Sequence, residues 1–386
     1  MRKFLMIALS VAMVAMLAAC SAEQKEADKE ADVKTGEAAP SALVLGVAGA
    51  HSGDLASYGL PSINAAKLVA AKVNAAGGVK GAMVEVVAQD DQCKPEVATN
   101  AATKMLSDDV KIVLGHICSG ATKAALPIYM SGKIVVMSPS ATNPPLTQSG
   151  EYPNFFRTIA PDDAQAALEV SFAKGLGLKK VAVIHDKGDY GKGFATFCKT
   201  YIEQEDGIEV VLFEGVTPGA VDYSAVVQKI KGSGADGVIF GGYHPEASKI
   251  VTGMRKKGVE IPFLSDDGVK DDTFIKVAGK YAEGVYATGP KDLSSLPMNQ
   301  EAVAAHKKEF GADPGPFFSQ AYAAAQALLA AVEAADSTDY DAVTNALRSN
   351  YVETAVGKIK FDAKGDAEGV GFSVYQVKDG NYVEVK

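Results

Sequence analysis

The chain has no tryptophan, only 4 cysteines in 386 residues, and no excess of basic residues. So few cysteines exclude a small disulfide-held scaffold. Lys and Arg number 38 against 47 Asp and Glu, a net charge of −9, which leaves a nucleic-acid backbone little cationic surface to bind. Enzyme signatures are missing as well. Gly46, Gly49 and Gly53 have the wrong spacing for a dinucleotide-binding GxGxxG loop. Gly132-Lys133 and Gly191-Lys192 lack the flanking residues of a phosphate loop. There is no GxSxG elbow and no HExxH, and no Cys/His spacing suits zinc. The histidines at 51, 116, 185, 244 and 306 show no ligand spacing, and each reads as structural. No catalytic residue, cofactor or metal is expected.

What is present begins with a leader. Arg2-Lys3 precede an apolar run from Phe4 to Ala19, too short for the ~20 residues a membrane helix needs. A charged start, apolar centre and small-residue end read as a secretory signal over residues 1–19. Leu17-Ala18-Ala19-Cys20 resembles the bacterial lipobox, which implies lipidation at Cys20. Removing residues 1–19, which hold Arg2 and Lys3 and no acid, takes the net charge from −9 to about −11. Residues 21–42 carry six acids, three Lys and no aromatic, and bury too little apolar surface to offset the entropy of ordering. Residues 20–42 are therefore expected to be a lipid anchor and disordered tether, holding a body beside a membrane rather than in it. No later run is long and apolar enough to span a bilayer.

From Leu43 onward, short β-rich runs alternate with helical stretches. Strand candidates are Leu43–Ala48, Met83–Asp90, Lys111–His116 and Ile134–Ser138, then Lys180–Asp186, Ile208–Glu214, Asp236–Gly242 and Ile261–Ser265. Helical stretches include Pro61–Ala76, Pro95–Ser107, Ala164–Gly175, Tyr223–Lys231 and Pro245–Lys257. Two such series imply two doubly wound parallel-sheet lobes. Phe155-Phe156-Arg157-Thr158 reads as a crossover between them. Helices over Gln300–Phe310, Ser319–Ala335 and Tyr340–Ser349, then strand-like Lys358–Phe361 and Gly371–Val377, suggest a return to the first lobe and a final recrossing. Two lobes joined by several crossovers make a hinge around a cleft. Cys93 and Cys118 each follow a strand, and neighbouring parallel strands bring both ends to one edge. A Cys93–Cys118 bridge is therefore expected, worth roughly 3–4 kcal/mol on the chain-entropy model, with Cys198 left free.

Open α/β sheets bind ligands at strand C-termini. The first lobe presents glycines and hydroxyls there, in Gly49–Gly53, Gly115–Gly120 and Ser138–Thr142, and free N–H groups at helix starts suit a carboxylate. The second lobe presents aromatics and acids, in Asp186–Gly191, Gly241–Glu246 and Ser265–Gly268, which suit an ammonium. A zwitterion between them would be satisfied at both ends.

Gly115–Ser119, Pro139–Thr142, Tyr190-Gly191 and Gly241-Gly242-Tyr243-His244-Pro245-Glu246 together resemble the leucine/isoleucine/valine-binding proteins of bacterial ABC importers, from about Leu43 to the C-terminus. The resemblance implies an α/β fold of the periplasmic-binding-protein type I class, two doubly wound parallel-sheet lobes joined by a three-stranded hinge. Lobe 1 would comprise 43–158 plus 290–365, and lobe 2 would comprise 159–289 plus 366–386. The paired cysteines match the family's single disulfide. By position, Ser119 and Thr142 would hold an α-carboxylate, with Tyr243 adding its hydroxyl and Ala141 also placed among the ligand-binding residues. The Ser140 carbonyl and Asp267 would hold the α-ammonium, and Tyr58, Tyr190 and Phe317 would line the side-chain pocket. Asp267 stands where the family usually has Glu, and Ser319 where related chains carry a large aromatic. The function implied is a non-enzymatic, monomeric solute-binding lipoprotein of the periplasm or cell surface. It would capture an amino acid, branched-chain types foremost, and deliver it to an ABC permease, touching the membrane through its lipid alone. A ligand-sensing receptor domain, or a binder of another small carboxylate, would carry the same features.

Overall fold

The computed structural model describes residues 42–385. The leader, Cys20 and all of the tether before residue 42 lie outside the described residues. The first part of the chain alternates β1 (Leu43–Gly49), α1 (Ala56–Ala75), β2 (Val84–Asp90), α2 (Pro95–Ser107), β3 (Ile112–Leu114), α3 (Ser119–Ser131) and β4 (Val135–Ser138). A short α4 (Pro145–Gln148) leads into β5 (Phe155–Arg157). These five strands form one parallel sheet in the order β2-β1-β3-β4-β5. The near-continuous apolar runs of β1, β3 and β4 match burial on both faces, whereas the edge strand β2 is partly exposed. Leu43, Leu45 and Val47 face α1, while Val44 and Ala48 face α2 and α3.

The second series runs α5 (Asp162–Gly175), β6 (Lys180–His185), α6 (Asp189–Glu203), β7 (Glu209–Gly215), α7 (Ser224–Ser233), β8 (Gly237–Gly241), α8 (His244–Lys256) and β9 (Phe263–Ser265). Its parallel sheet has the order β7-β6-β8-β9. Ala182, Ile184, Val238 and Phe240 pack towards α7 and α8, whereas Val181, Val183 and Ile239 pack towards α5 and α6. After α9 (Asp272–Ala278), β10 (Tyr286–Pro290) ends this lobe and the chain returns to the first. There α10 (Pro297–Phe310), α11 (Phe318–Ala335) and α12 (Tyr340–Ser349) are followed by the hairpin β11 (Val352–Thr354) and β12 (Gly357–Ile359). The alanine-rich α11 lies in the core against α1, β3 and β4. The chain ends in the second lobe, where β13 (Phe372–Lys378) pairs antiparallel with β10 and with β14 (Asn381–Glu384).

The chain thus passes between lobes three times: after β5, after β10 and before β13. The last two passages are tied by Lys291 N–H donating to the Gly371 carbonyl at 3.1 Å. Phe155–Arg157 is not a crossover but the fifth strand of the first sheet, pairing with β4 from Val136 to Ser138. A three-residue buried strand has too few positions to show a period, so sequence pattern alone did not separate it from a linker. Helix α1 starts at Ala56, five residues before the expected Pro61. Pro61 sits inside the helix, and only the bond to the Ser57 carbonyl in its second turn is lost. The bridge between Cys93 and Cys118 is formed, with Cα atoms 5.4 Å apart, and Cys198 is free and buried. The strands that precede the two cysteines are not neighbours: β2 and β3 flank β1, so the bridge reaches across the end of β1.

Among the described residues, no helix is long and apolar enough to cross a membrane.

Candidate functional site

Close backbone packing brings the strand ends of the two sheets together with helix starts. The first turn of α6 lies against the end of β8 so tightly that a Cβ on Gly191 would meet the Gly241 carbonyl oxygen at 2.4 Å. This approach seats Tyr190 beside Tyr243, with ring centroids 5.1 Å apart. In the first lobe, the loop after β4 is held by the buried Arg157. Its guanidinium donates to the Ala141 carbonyl at 3.2 Å, the Asn143 carbonyl at 3.0 Å, Thr147 Oγ1 at 2.6 Å and Asp366 Oδ1 at 2.6 Å. A planar, forked donor satisfies four acceptors that a lysine could not.

Between the lobes lies a cavity of about 10 Å³ lined by Tyr58, Ile117, Ser140 and Phe317 from one side and Tyr190, Tyr243, Asp267 and Gly268 from the other. That volume holds about one water. The Tyr58 hydroxyl crosses the gap, donating to the Gly268 carbonyl at 2.6 Å and lying 2.7 Å from His244 Nδ1. With the phenol proton committed to Gly268, the His244 Nδ1 position carries the hydrogen. Lys123 pairs with Asp189 at 2.9 Å across the same gap, and Asn143 donates to the Asp189 carbonyl. The lobes are therefore in direct contact; they must open to admit a ligand, and side chains lining the cleft must shift to make room for it.

The polar groups of the site are unevenly satisfied. The Tyr190 hydroxyl donates to Asp267 Oδ1 and accepts from Gly268 N–H at 2.9 Å. Asp267 is 2% exposed, and its Oδ2 makes no close hydrogen bond, with the Gln165 carboxamide the group beside it. Burial pushes its carboxyl up to about 6. Asp266 beside it accepts from Gly242 N–H at 2.8 Å, and burial with the neighbouring Asp267 charge raises it well above the usual range. Asp162, at the start of α5, is raised the same way by burial and by Asp267. Outside the cavity lining in the first lobe, Thr142 Oγ1 is buried beside Asp162 with no close hydrogen bond, while Ser119 Oγ accepts from Asn143 N–H at 3.2 Å. Polar groups without a close hydrogen bond in so buried a place cost roughly 1–3 kcal/mol each, a cost that a bound polar group would recover. A carboxylate facing three phenols is a place for a cation or a hydrogen-bond donor.

Of the residues expected to bind ligand, Tyr58, Ser140, Tyr190, Tyr243, Asp267 and Phe317 line the cavity. Ser119, Ala141 and Thr142 stand behind it, and the Ala141 carbonyl is already taken by Arg157. Ile117, Gly268 and His244 were not singled out as ligand residues. His244 follows Tyr243 directly in a recognised motif, whereas Ile117 and Gly268 enter through loop geometry that no spacing announces. Among the described residues, no group of three or more His, Cys, Asp or Glu could hold a metal ion.

A sequence profile of the periplasmic binding proteins matches residues 43–381. A leucine-, isoleucine-, valine-, threonine- and alanine-binding protein of Pseudomonas aeruginosa is 37% identical over 346 residues, covering 89% of this chain and 92% of that protein. The Leu/Ile/Val-binding protein of Escherichia coli is 35% identical over 334 residues, covering 86% and 90%. The crystal structure of a leucine binding protein from Thermotoga maritima superposes with a TM-score of 0.83 at 26% identity, covering 89% of this chain and 98% of that one. A branched-chain amino acid transporter substrate binding protein of Streptococcus pneumoniae, solved in complex with isoleucine, gives 0.78 at 26% identity, covering 89% and 100%.

Proposed function

Because the chain belongs to the periplasmic binding protein family, with that family's type I fold and no enzymatic role, we propose that it captures an amino acid between its lobes for import. Its relatives' names support amino-acid binding and make branched-chain ligands the first to test. The observation that carries the reading is Asp267: a buried carboxylate oxygen without a close hydrogen bond, set among Tyr58, Tyr190 and Tyr243 at the junction of both sheets. In this reading the α-ammonium sits on Asp267 and the Ser140 carbonyl. The α-carboxylate sits on Ser119, Thr142 and the start of α3, with Tyr243 closing over it, and Ala141 shapes the loop. Asp267 is shorter than Glu by one methylene, so the ligand sits closer to the second lobe or is bridged by a water.

The proposal extends to closure. A ligand with contacts on both lobes selects the closed state through those contacts, and Tyr58 to Gly268 and Lys123 to Asp189 latch it. We further propose lobe 1 as 43–158 plus 290–365 and lobe 2 as 159–289 plus 366–386, a lipid anchor at Cys20, action as a monomer, and delivery to an ABC permease. A thermal-shift screen over the L-amino acids tests the core of this. At least one amino acid should raise Tm by several degrees at millimolar concentration, as mass action requires of a micromolar ligand. A flat response to all of them would overturn the reading.

A further inference from the structure

A groove of about 290 Å³ adjoins the cleft, and Asp267 and Phe317 line both. Its remaining wall is mixed: Lys270, Lys291, Asn299, Ser319 and Gln320 share it with three prolines, Leu293 and Phe318. Two glycines on the paired crossovers make room for the lysines. A Cβ on Gly289 would come within 2.2 Å of Lys270 Cδ, and one on Gly371 within 2.9 Å of Lys291 Cε. Lys270 is half-buried, its ammonium lies 4.2 Å from the Tyr375 ring centroid, and no carboxylate among the described residues lies within 4.0 Å of it, although Asp272, Asp292, Asp267 and Glu384 act on it from further away. Asp292, the other acid on the wall, is occupied by Ser294 N–H at 2.9 Å and Oγ at 2.8 Å. The Ser319 hydroxyl donates to Asn299 Oδ1 at 2.6 Å, and Asn299 donates to the Leu293 carbonyl at 3.1 Å.

We propose that this groove is the side-chain subsite and that it takes an acidic side chain, a second carboxylate on a short flexible stem. The inference rests on the amino-acid reading above. With the α-ammonium at Asp267, the side chain leaves the cleft past Phe317 and enters the groove beside Lys270. A branched aliphatic group there would strip water from the Gln320 carboxamide and the Lys270 ammonium without replacing any hydrogen bond. A terminal carboxylate replaces them, because an ammonium only donates and a carboxylate is its strongest acceptor.

Calorimetry of the full chain with L-glutamate, L-glutamine and L-leucine is the test. L-Glutamate should bind at least about tenfold more tightly than L-leucine, and Lys270→Met should remove most of that preference by weakening glutamate binding. Ser319→Trp, which fills the groove with an aromatic ring, should depress binding of both amino acids, since both send their side chains there; it tests the subsite should Lys270→Met fail to fold. L-Leucine binding as tightly as L-glutamate, or glutamate affinity unchanged in both variants, would overturn the subsite while leaving the amino-acid reading intact. Glutamine outranking glutamate would overturn the acidic assignment. Binding of none of the three would overturn both.

Discussion

At Asp267 a single carboxyl links burial, proton and ligand. Held up to about 6 by burial, it is ionised at neutral pH and protonated below. An ammonium ligand needs the ionised form, so affinity should be level above pH 7 and fall as pH drops through 6, by about tenfold at pH 5. Titration calorimetry across pH 5 to 8 checks this, and a level profile would remove Asp267 from the ligand. Glu169 is a contrasting case. It is 1% exposed with both oxygens unpartnered, and burial raises its pKa well above the usual value. A raised carboxyl favours folding at low pH, and that contribution is lost as pH rises through the folded-state value. Glu169→Gln should therefore raise Tm at pH 8 by roughly 2 °C or more, with a smaller gain at pH 5. Arg157 completes the residue scale. Arg157→Ala would strand Asp366 and free the loop carrying Ser140 and Thr142, costing about 3–5 kcal/mol in urea unfolding.

Among elements, the bridge between Cys93 and Cys118 ties the loop after β2 to the start of α3, the helix whose first residue is Ser119. It closes a separation of 25 residues, worth roughly 3–4 kcal/mol on the chain-entropy model. Replacing both cysteines by serine should lower Tm by several degrees and, by loosening the first turn of α3, weaken ligand binding as well. The cysteine pairing was legible because both residues follow strand-like runs on one sheet edge. The same holds for the long parallel strands: Leu43–Ala48 and Val181–Ile184 are continuous apolar runs that only a two-sided sheet buries. Elements that depend on partners far along the chain were not legible. β10 and β14 are short antiparallel strands defined by β13, and β5 is three residues whose role as a strand rests on β4. The site divides the same way. Tyr58, Tyr190, Tyr243 and Asp267 sit in motif-bearing loops. Lys270 and its glycine neighbours gain meaning only when the crossovers at 289–291 and 371 come together.

At the scale of the whole molecule, two parallel sheets joined by three passages make a hinge, and contacts on both sides of the cleft make a latch. Tyr58 is central to that latch, reaching from α1 to Gly268 and His244. Tyr58→Phe keeps the ring and removes both hydrogen bonds, so it should favour the open form and weaken ligand binding by about tenfold with little change in the Tm of the free protein. Small-angle scattering, with and without ligand, reads the change in lobe separation. The acidity of the chain, −9 over its full length, plays no part in this; recognition lies in local groups at the strand ends.

The most direct measurement is isothermal titration of the protein and its Asp267→Ala variant with the L-amino acid that most raises Tm. The account predicts one site per chain with a dissociation constant of about 10 μM or tighter, weakened at least about tenfold in the variant. Equal binding by the two proteins would contradict it.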